Sequence, residues 1–207
     1  MISGNLRLRF AKSVDGGQSW QVQTANSSNA ARDINLQANQ NFINIVHRNS
    51  LNQLIITKYA SGTWSNYQPI IAGLANYNIR TFLDNTGKLH ILSFSSNNPN
   101  PLVIKTAYYR VFNNNTNLFE NVGLTNDDLL LTYNNLFGST FSSIGPYGDI
   151  FVDTDGTVYI VVNTVRIGQT RLDLLIYKNG SWQSPIRLPS SSSPLNYLLT
   201  SLRINKW

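Results

Sequence analysis

The segment FLDNTGKLHILSF, residues 82–94, has the pattern of two β-strands joined by a tight turn. Its second half alternates between two sets of side chains, as expected for a strand with one buried face, and Asn-Thr-Gly is a hairpin signal. The same pattern returns 69 residues later as FVDTDGTVYIVVN, residues 151–163. A weaker copy, LQANQNFINIV at residues 36–46, has Asn41 where the others have Gly87 and Gly156. Since Asn and Gly best tolerate a positive φ, all three copies predict hairpins.

A second repeated unit, a strand followed by a glycine turn and a tryptophan, accompanies the hairpins. It reads LRLRFAKSVDGGQSWQVQ at 6–23, LIITKYASGTWSNYQPI at 54–70 and LDLLIYKNGSWQSPIRL at 172–188. The tryptophans are Trp20, Trp64 and Trp182, and Phe119 takes this position in a degenerate copy. Four antiparallel strands in about 45 to 60 residues are typical of a β-propeller blade. The sequence therefore predicts an all-β fold, a β-propeller of four-stranded antiparallel blades.

The repeats predict one domain over residues 1–207 with four to five blades. Blade pieces are expected at 5–24, 32–71, 77–124, 147–189 and 195–207, with an insertion at 125–146 that holds the chain's one candidate for a helical turn. The blades form either a small ring closed by the C-terminal strand or an incomplete ring. An incomplete ring implies a fragment of a longer chain, or a protomer whose sheet is completed by a partner.

The segment SVDGGQSW, residues 13–20, resembles the Asp-box, or BNR repeat, of the sialidase-like β-propeller family. That pattern is Ser, any residue, Asp, any residue, Gly, any residue, Ser or Thr, and Trp. It is matched by Ser13, Asp15, Gly17, Ser19 and Trp20. The other two copies keep only the Gly, Ser or Thr, and Trp part. The resemblance implies a structural turn between the third and fourth strands of a blade, on the face away from the catalytic site.

The residue types in this turn are consistent with a structural role. Asp15 can accept hydrogen bonds from the backbone of its own turn, and Gly16 and Gly17 permit positive φ. Trp20 is expected to pack between neighbouring strands, where burial contributes about 2–3 kcal/mol. Neither this turn nor VDTDGT at 152–157 has the oxygen ligands of a calcium loop. We therefore expect no metal and no cofactor.

The composition argues against several functional classes. Among the 207 residues there is no cysteine, so disulfides and a thiolate nucleophile are excluded. The net charge is +6, but the cations are scattered, which argues against a nucleic-acid partner. No apolar run approaches the ~18 residues of a membrane span, and this chain shows no signal peptide. We expect an extracellular or virion-surface location, as part of a larger protein or assembly.

The resemblance raises a sialidase-type glycoside hydrolase as one alternative. Sialidases use an arginine triad on the substrate carboxylate, an Asp acid/base and a Tyr nucleophile activated by Glu. Candidates for such roles are Arg32, Asp33, Arg80 and Arg110. The chain has a single glutamate, Glu120, and lacks the aromatic-Arg-Ile-Pro motif of the family. The sequence therefore favours a non-catalytic protein.

Recognition of a glycan or a protein partner is the function that the sequence favours. Sugars bind aromatic rings through their apolar faces, and amides and hydroxyls through their hydroxyl groups. The chain has ten tyrosines and four tryptophans, together with many Asn, Ser and Thr. The candidate binding residues are the tyrosines predicted in loops, Tyr67, Tyr77, Tyr133 and Tyr147. A purely structural module in an oligomer or larger assembly is the third alternative.

Overall fold

The structure is a computed structural model that describes residues 8–26, 32–49, 53–67, 75–96, 106–138, 141–166 and 169–189. The chain divides into two compact units, Met1–Gly73 and Leu74–Trp207. The predicted strand at 195–207 lies outside the described residues. Within the described ranges, no helix combines the length and the apolar character of a membrane span.

The first unit contains two antiparallel sheets. Its described strands are β1 (Leu8–Lys12), β2 (Gln21–Asn26), β3 (Arg32–Ala38), β4 (Ile43–Arg48), β5 (Leu54–Ala60) and β6 (Thr63–Tyr67). Sheet 1 is the β1-β2 hairpin, and sheet 2 is a meander in the order β3-β4-β5-β6. The two sheets pack through a small cluster, in which buried Leu8, Ala25 and Ile45 meet the half-buried rings of Phe10 and Trp64.

The second unit contains two larger sheets. Its described strands are β7 (Ala75–Leu83), β8 (Lys88–Ser96), β9 (Thr106–Asn113), β10 (Leu118–Glu120), β11 (Phe141–Val152), β12 (Val158–Arg166), β13 (Gln169–Lys178), β14 (Ser181–Trp182) and β15 (Ile186–Arg187). Sheet 3 has the order β10-β9-β8-β7, and sheet 4 the order β11-β12-β13-β14, with β15 also paired to β13. Sheets 2, 3 and 4 are thus antiparallel meanders with the strand pattern of propeller blades. The predicted all-β fold of four-stranded antiparallel blades is confirmed, whereas the blade boundaries and the blade number stay predictions.

The hairpin turns form where the repeat predicts them. In sheet 3, Asp84 Oδ1 accepts a hydrogen bond of 2.8 Å from the backbone N–H of Lys88. Burial raises the pKa of Asp84, but hydrogen bonds, above all from His90, outweigh it and lower the pKa to about 2. The turn glycines Gly87 and Gly156 have φ values of 86° and 82°. Both turns therefore depend on a residue that adopts the left-handed region without strain.

The insertion between sheets 3 and 4 holds a helix. A 3₁₀ turn at Thr125–Asp127 leads into α1 (Leu129–Phe137). Asp128 caps the helix, since its carboxylate accepts a 3.0 Å hydrogen bond from the N–H of Leu131. Gly138 ends α1 in the left-handed conformation, at φ 57°.

The main core of the second unit joins residues of sheets 3 and 4 with residues of α1. Tyr133 is fully buried there, and its ring centroid lies 5.6 Å from that of Trp182. Burial raises the pKa of its hydroxyl. The prediction of Tyr133 as an accessible binding residue is therefore wrong. The physical reason is helical: Leu129 and Tyr133 are four residues apart, so both lie on the face of α1 that packs into the core.

The turn at residues 13–20 has the backbone hydrogen bonding predicted for it. Asp15 Oδ1 accepts a 2.9 Å bond from the N–H of Ser19, and Ser13 Oγ accepts a 2.7 Å bond from the N–H of Gly17. Hydrogen bonds from Ser19, and then from Ser13, hold the pKa of the Asp15 carboxyl well below its usual range. The turn is thus closed by its own side chains.

The predicted burial of Trp20 is wrong, because 61% of its surface is exposed, against 6% for Trp182. The indole N–H of Trp64 points to Gln23 of sheet 1 at 3.4 Å. That of Trp182 donates to the carbonyl of Val122, just after sheet 3, at 3.1 Å. Sheet 1 thus partly covers the ring of Trp64, and the core of the second unit buries the ring of Trp182.

Candidate functional site

The first strand of each of sheets 2, 3 and 4 carries a bulge at a corresponding place. Residues 33–34 of β3, 78–79 of β7 and 145–147 of β11 interrupt the pairing with the next strand. The first residue of each bulge has a positive φ, which is 51° at Asp33, 46° at Asn78 and 154° at Gly145. Bulges re-aim side chains and are common next to active sites. Each of these three segments, with the side chains around it, is called a bulge site below; one lies in the first unit and two lie in the second.

A buried polar residue lies opposite each bulge, on the second strand of the sheet. These residues are His47, Ser93 and Asn163. His47 Nε2 lies 3.1 Å from Thr57 Oγ1, and burial lowers the pKa of His47. Because a buried polar group without a partner costs about 1–3 kcal/mol, each bulge needs hydrogen-bonding groups around it. Each of the three bulges therefore lies next to a buried polar side chain.

In the first unit, the bulge brings Asp33 to Arg48. The Asp33 carboxylate lies 2.9 Å from Arg48 Nη2, with the arginine buried and the aspartate about one-third exposed. Asp33 is engaged in an ion pair, and the side chain of Arg32 lies outside the described residues.

In sheet 3, Arg80 follows the bulge and is half-buried. Its Nη1 donates to the carbonyl of Ile79, the second bulged residue, at 3.1 Å. The backbone of Tyr77 pairs with Phe94 where the bulge begins, while the Tyr77 side chain lies outside the described residues. The guanidinium group of Arg80 therefore helps to stabilise the bulge that precedes it in the strand.

Arg110 of β9 extends the site on sheet 3. Its Nη1 lies 3.5 Å from Ser93 Oγ, its Nε donates to Asp127 at 3.2 Å, and its guanidinium carbon lies 4.9 Å from the ring centroid of Tyr108. Burial lowers the pKa of Arg110, and the Asp127 charge opposes this effect. Burial also raises the pKa of Tyr108. A cation, an aromatic ring and an acid thus lie in contact, with the acid side chain 35% exposed.

The insertion presents Asp127 to Arg110 in an uncommon backbone conformation. Asn126 and Asp127 have φ values of 52° and 60°. Each such residue costs on the order of 1 kcal/mol, and strain of this kind clusters at functional sites. Asp128 anchors the segment, because its carboxylate accepts a 2.5 Å hydrogen bond from Thr106 Oγ1 of β9. The position of the acid is therefore specified by the packing of the insertion on sheet 3.

The bulges of sheets 3 and 4 adjoin in the second unit. Gly148 ends the β11 bulge, and a Cβ at this position would lie 2.7 Å from Phe94 Cζ and 2.6 Å from the carbonyl oxygen of Val161. Phe94 pairs with Tyr77, which begins the β7 bulge. Tyr147, inside the β11 bulge, is half-buried, so part of it is accessible. The second unit therefore places Tyr147 close to the start of the neighbouring bulge.

Six sequence-predicted residues lie in or beside bulges, or contact a residue opposite one: Arg32, Asp33, Tyr77, Arg80, Arg110 and Tyr147. Tyr67 does not, since it ends β6, the outer strand of sheet 2. The sequence did not indicate Tyr108 and Asp127. These two residues contact the same arginine, Arg110, because the insertion packs on sheet 3. The Asn-Asp-Asp run at 126–128 was the available signal, because Asn and Asp readily adopt positive φ. Among the described residues, no group of three or more His, Asp or Glu side chains is placed to hold a metal ion.

Comparison with solved structures finds similar folds. The chain is similar to an ulvan lyase, a polysaccharide lyase of family PL25 bound to -[GlcA(1-4)Rha3S]-, with a TM-score of 0.53 and 11% identity over 79% of this chain and 45% of the lyase. It is also similar to a protein of unknown function from Dyadobacter fermentans DSM 18053, with a TM-score of 0.51 and 12% identity over 78% of this chain and 56% of that protein. The chain thus spans about half the length of these structures. No protein-family model and no curated protein matches its sequence.

Proposed function

We propose that the chain is a non-catalytic glycan-recognition module that binds saccharides at its bulge sites. The observation that carries this proposal is that the same kind of bulge occurs in three sheets. Three sheets interrupt the first strand in a corresponding place, with a positive φ at the first bulged residue and a buried polar residue opposite. Bulges re-aim side chains, and polar side chains placed in this way can bind the hydroxyl groups of a sugar.

An acidic glycan is the ligand class with the best support. Half-buried Arg80 supplies a guanidinium group next to the β7 bulge, and half-buried Tyr147 supplies an aromatic ring in the β11 bulge of the same unit. Guanidinium groups match carboxylates and sulfates through paired hydrogen bonds. The net charge of +6 attracts acidic ligands. The similar ulvan lyase is bound to a saccharide that carries both a carboxylate and a sulfate.

Membership of the sialidase-like Asp-box family belongs to the same proposal. It is supported by the turn at residues 13–20, where Asp15 and Ser13 accept the backbone hydrogen bonds that close it. An extracellular or virion-surface location within a larger protein or assembly is proposed with it. Glycans are abundant on cell surfaces, so a recognition module fits that location.

A sialidase-type hydrolase is the second candidate, favoured by the contact of Arg110 with Tyr108 and Asp127. Two observations count against it. Arg80 pairs with Leu92 and Arg110 with the adjacent Ile91, so the two arginines lie on opposite faces of sheet 3 and cannot clamp one carboxylate. Burial raises the pKa of Tyr108, which disfavours a phenolate nucleophile. Hydrolysis of a fluorogenic sialoside, abolished by Tyr108→Phe, would establish the enzyme instead.

The test is binding of the full chain to an array of acidic and neutral glycans, followed by calorimetry with the strongest acidic oligosaccharide. We expect saturable binding to acidic glycans that persists at about 0.15 M salt and weakens as the salt concentration rises further. Tyr147→Ala should weaken it roughly tenfold, a loss of about 1.4 kcal/mol. Tyr67→Ala is the matched control, because Tyr67 is a half-buried tyrosine away from any bulge.

Three results would contradict the proposal. Equal losses of affinity in Tyr147→Ala and Tyr67→Ala would show that the saccharide does not bind at the bulges. Preference for neutral sugars would refute the acidic class. Absence of saturable binding to every glycan would refute the function and favour a protein partner or a structural module.

A further inference from the structure

The turn between β13 and β14 carries a polar side chain that neither the core nor the bulge sites use. Asn179 and Gly180 form this turn, with φ values of 51° and 77°, and Ser181 begins β14. All three residues are exposed, and within the part of the chain that the structure describes no hydrogen bond holds the Asn179 side chain. The turn therefore presents a carboxamide group to the solvent.

The equivalent turn of sheet 2 shows that this geometry does not require asparagine. Ser61 and Gly62 connect β5 to β6 with φ values of 50° and 85°, close to those of the β13-β14 turn. The next two residues are again a hydroxyl residue and a tryptophan, Thr63 and Trp64. The backbone geometry alone therefore does not explain why residue 179 is Asn.

Residues 179–181, Asn-Gly-Ser, match the Asn-X-Ser/Thr acceptor triplet for N-linked glycans. Two further triplets begin at Asn26, whose side chain lies outside the described residues, and at Asn114. Asn114 is only 1% exposed, and its Nδ2 donates to the carbonyl of Gly87 at 2.9 Å. A bulky glycan on that nitrogen cannot be accommodated at a buried position, so it is incompatible with the folded chain. Asn179 meets no such obstacle.

We propose that Asn179 is an N-glycosylation site, which receives an oligosaccharide from a polyprenyl diphosphate donor. The inference rests on the extracellular location put forward with the proposed function, because this modification belongs to surface segments of secreted proteins. The Asn179 Nδ2 attacks the anomeric carbon of the donor sugar, the bond from that carbon to the diphosphate oxygen breaks, and one amide proton passes to the transferase. The products are an N-glycosidic bond and free polyprenyl diphosphate, so the step needs no oxidant or reductant.

Asn179 lies far from the β11 bulge within sheet 4. The bulge ends at Gly148, which pairs with Val162, whereas Tyr177, two residues before Asn179, pairs with Val158. The turn also lies at the β13-β14 end of the strand order, and the bulge at the β11 end. At about 3.3 Å per residue and about 4.8 Å between strands, the two are on the order of 20 Å apart. A glycan on Asn179 therefore leaves this bulge site accessible.

The test is secretion of the full chain from cultured insect cells behind a cleavable signal peptide, followed by mass spectrometry. Trypsin isolates the triplet in the peptide 179–187, because Lys178 precedes it and Arg187 ends it. We expect this peptide to carry one oligosaccharide, which peptide-N-glycosidase removes while converting Asn179 to Asp. Ser181→Ala should abolish the modification, and Ser181→Thr should retain it. Thr116→Ala is the matched control, because it removes the triplet of a buried Asn at an exposed position and should change nothing.

The outcomes separate this site from the proposed function. A folded, secreted chain whose peptide 179–187 is unmodified overturns the proposal, and so does an unmodified peptide in protein isolated from its natural source. A glycan on Asn114 of the folded chain would overturn the burial argument. Glycosylated and enzymatically deglycosylated chains should bind the acidic oligosaccharide of the array equally, and a fivefold difference would contradict the distance from the bulge. A glycosylated chain that binds no glycan would refute the proposed function and leave the modification site standing.

Discussion

Replacing Gly148 by alanine is expected to destabilise the second unit at the junction of its two bulges. The added Cβ would lie 2.6 Å from the carbonyl oxygen of Val161, 2.7 Å from Phe94 Cζ and 3.0 Å from Val162 Cγ1. Ordinary carbon contacts need about 3.5–4.0 Å, so the methyl group overlaps neighbours on three sides. The Val161 oxygen belongs to the paired strand β12 and cannot move without disturbing the ladder. We therefore expect a loss of about 3 kcal/mol, at the upper end for overpacking of a core.

The measurement is urea unfolding of the full chain, with hydrogen exchange to locate the loss. A loss of this size in the free energy of unfolding corresponds to a fall in Tm of roughly 10 °C. Exchange should accelerate in β11 and β12 and remain unchanged in sheet 2. Gly156→Ala is the matched control, since Gly156 has φ 82° but no atom within 4 Å of an added Cβ. It should cost only about 1 kcal/mol of backbone strain.

A Gly148→Ala variant as stable as Gly156→Ala would contradict this prediction. It would mean that β11 can relax away from β12 and Phe94. The close junction of the two bulges would then no longer be a rigid feature of the second unit.

Three further predictions concern charged groups. Asp84 has a folded-state pKa of about 2, below its ordinary 3.8, so it contributes stability above pH 3.8 that is lost as the pH falls towards 2. Asp84→Asn should therefore cost on the order of 2 kcal/mol at pH 7 and should reduce the dependence of unfolding on pH between 4 and 2. Asp127→Asn leaves buried Arg110 without its carboxylate partner. Because Asp127 is partly exposed, we expect urea unfolding to show a loss of about 1–2 kcal/mol in the free energy of unfolding. The control Asn126→Ala keeps the carboxylate, so it should not cause this electrostatic loss. Asp15→Asn should accelerate exchange of the Ser19 amide hydrogen severalfold at neutral pH. An unchanged exchange rate would show that the carboxylate does not hold the turn.

The strands and their turns could be predicted from the sequence because they are local. The alternation around Gly87 and Gly156 specifies a hairpin whatever packs on it, and Asp15 and Ser13 close their turn with neighbours two to four residues away. The candidate site could be predicted only in part. Arg80, Arg110 and Tyr147 stood out by residue type, but a bulge is a mismatch in register between two strands, and no single strand encodes it.

The burial of the repeated tryptophan could not be predicted from the repeat. Trp20, Trp64 and Trp182 occupy the same place in the same local pattern, so the sequence predicts the same glycine turn before each of them. Whether the ring is buried depends on a second sheet, which covers Trp64 and Trp182 but not Trp20. In the same way, the contact of Asp127 with Arg110 exists only because the insertion packs on β9. Local geometry follows from neighbours in the chain, whereas burial and charge pairing follow from neighbours in space.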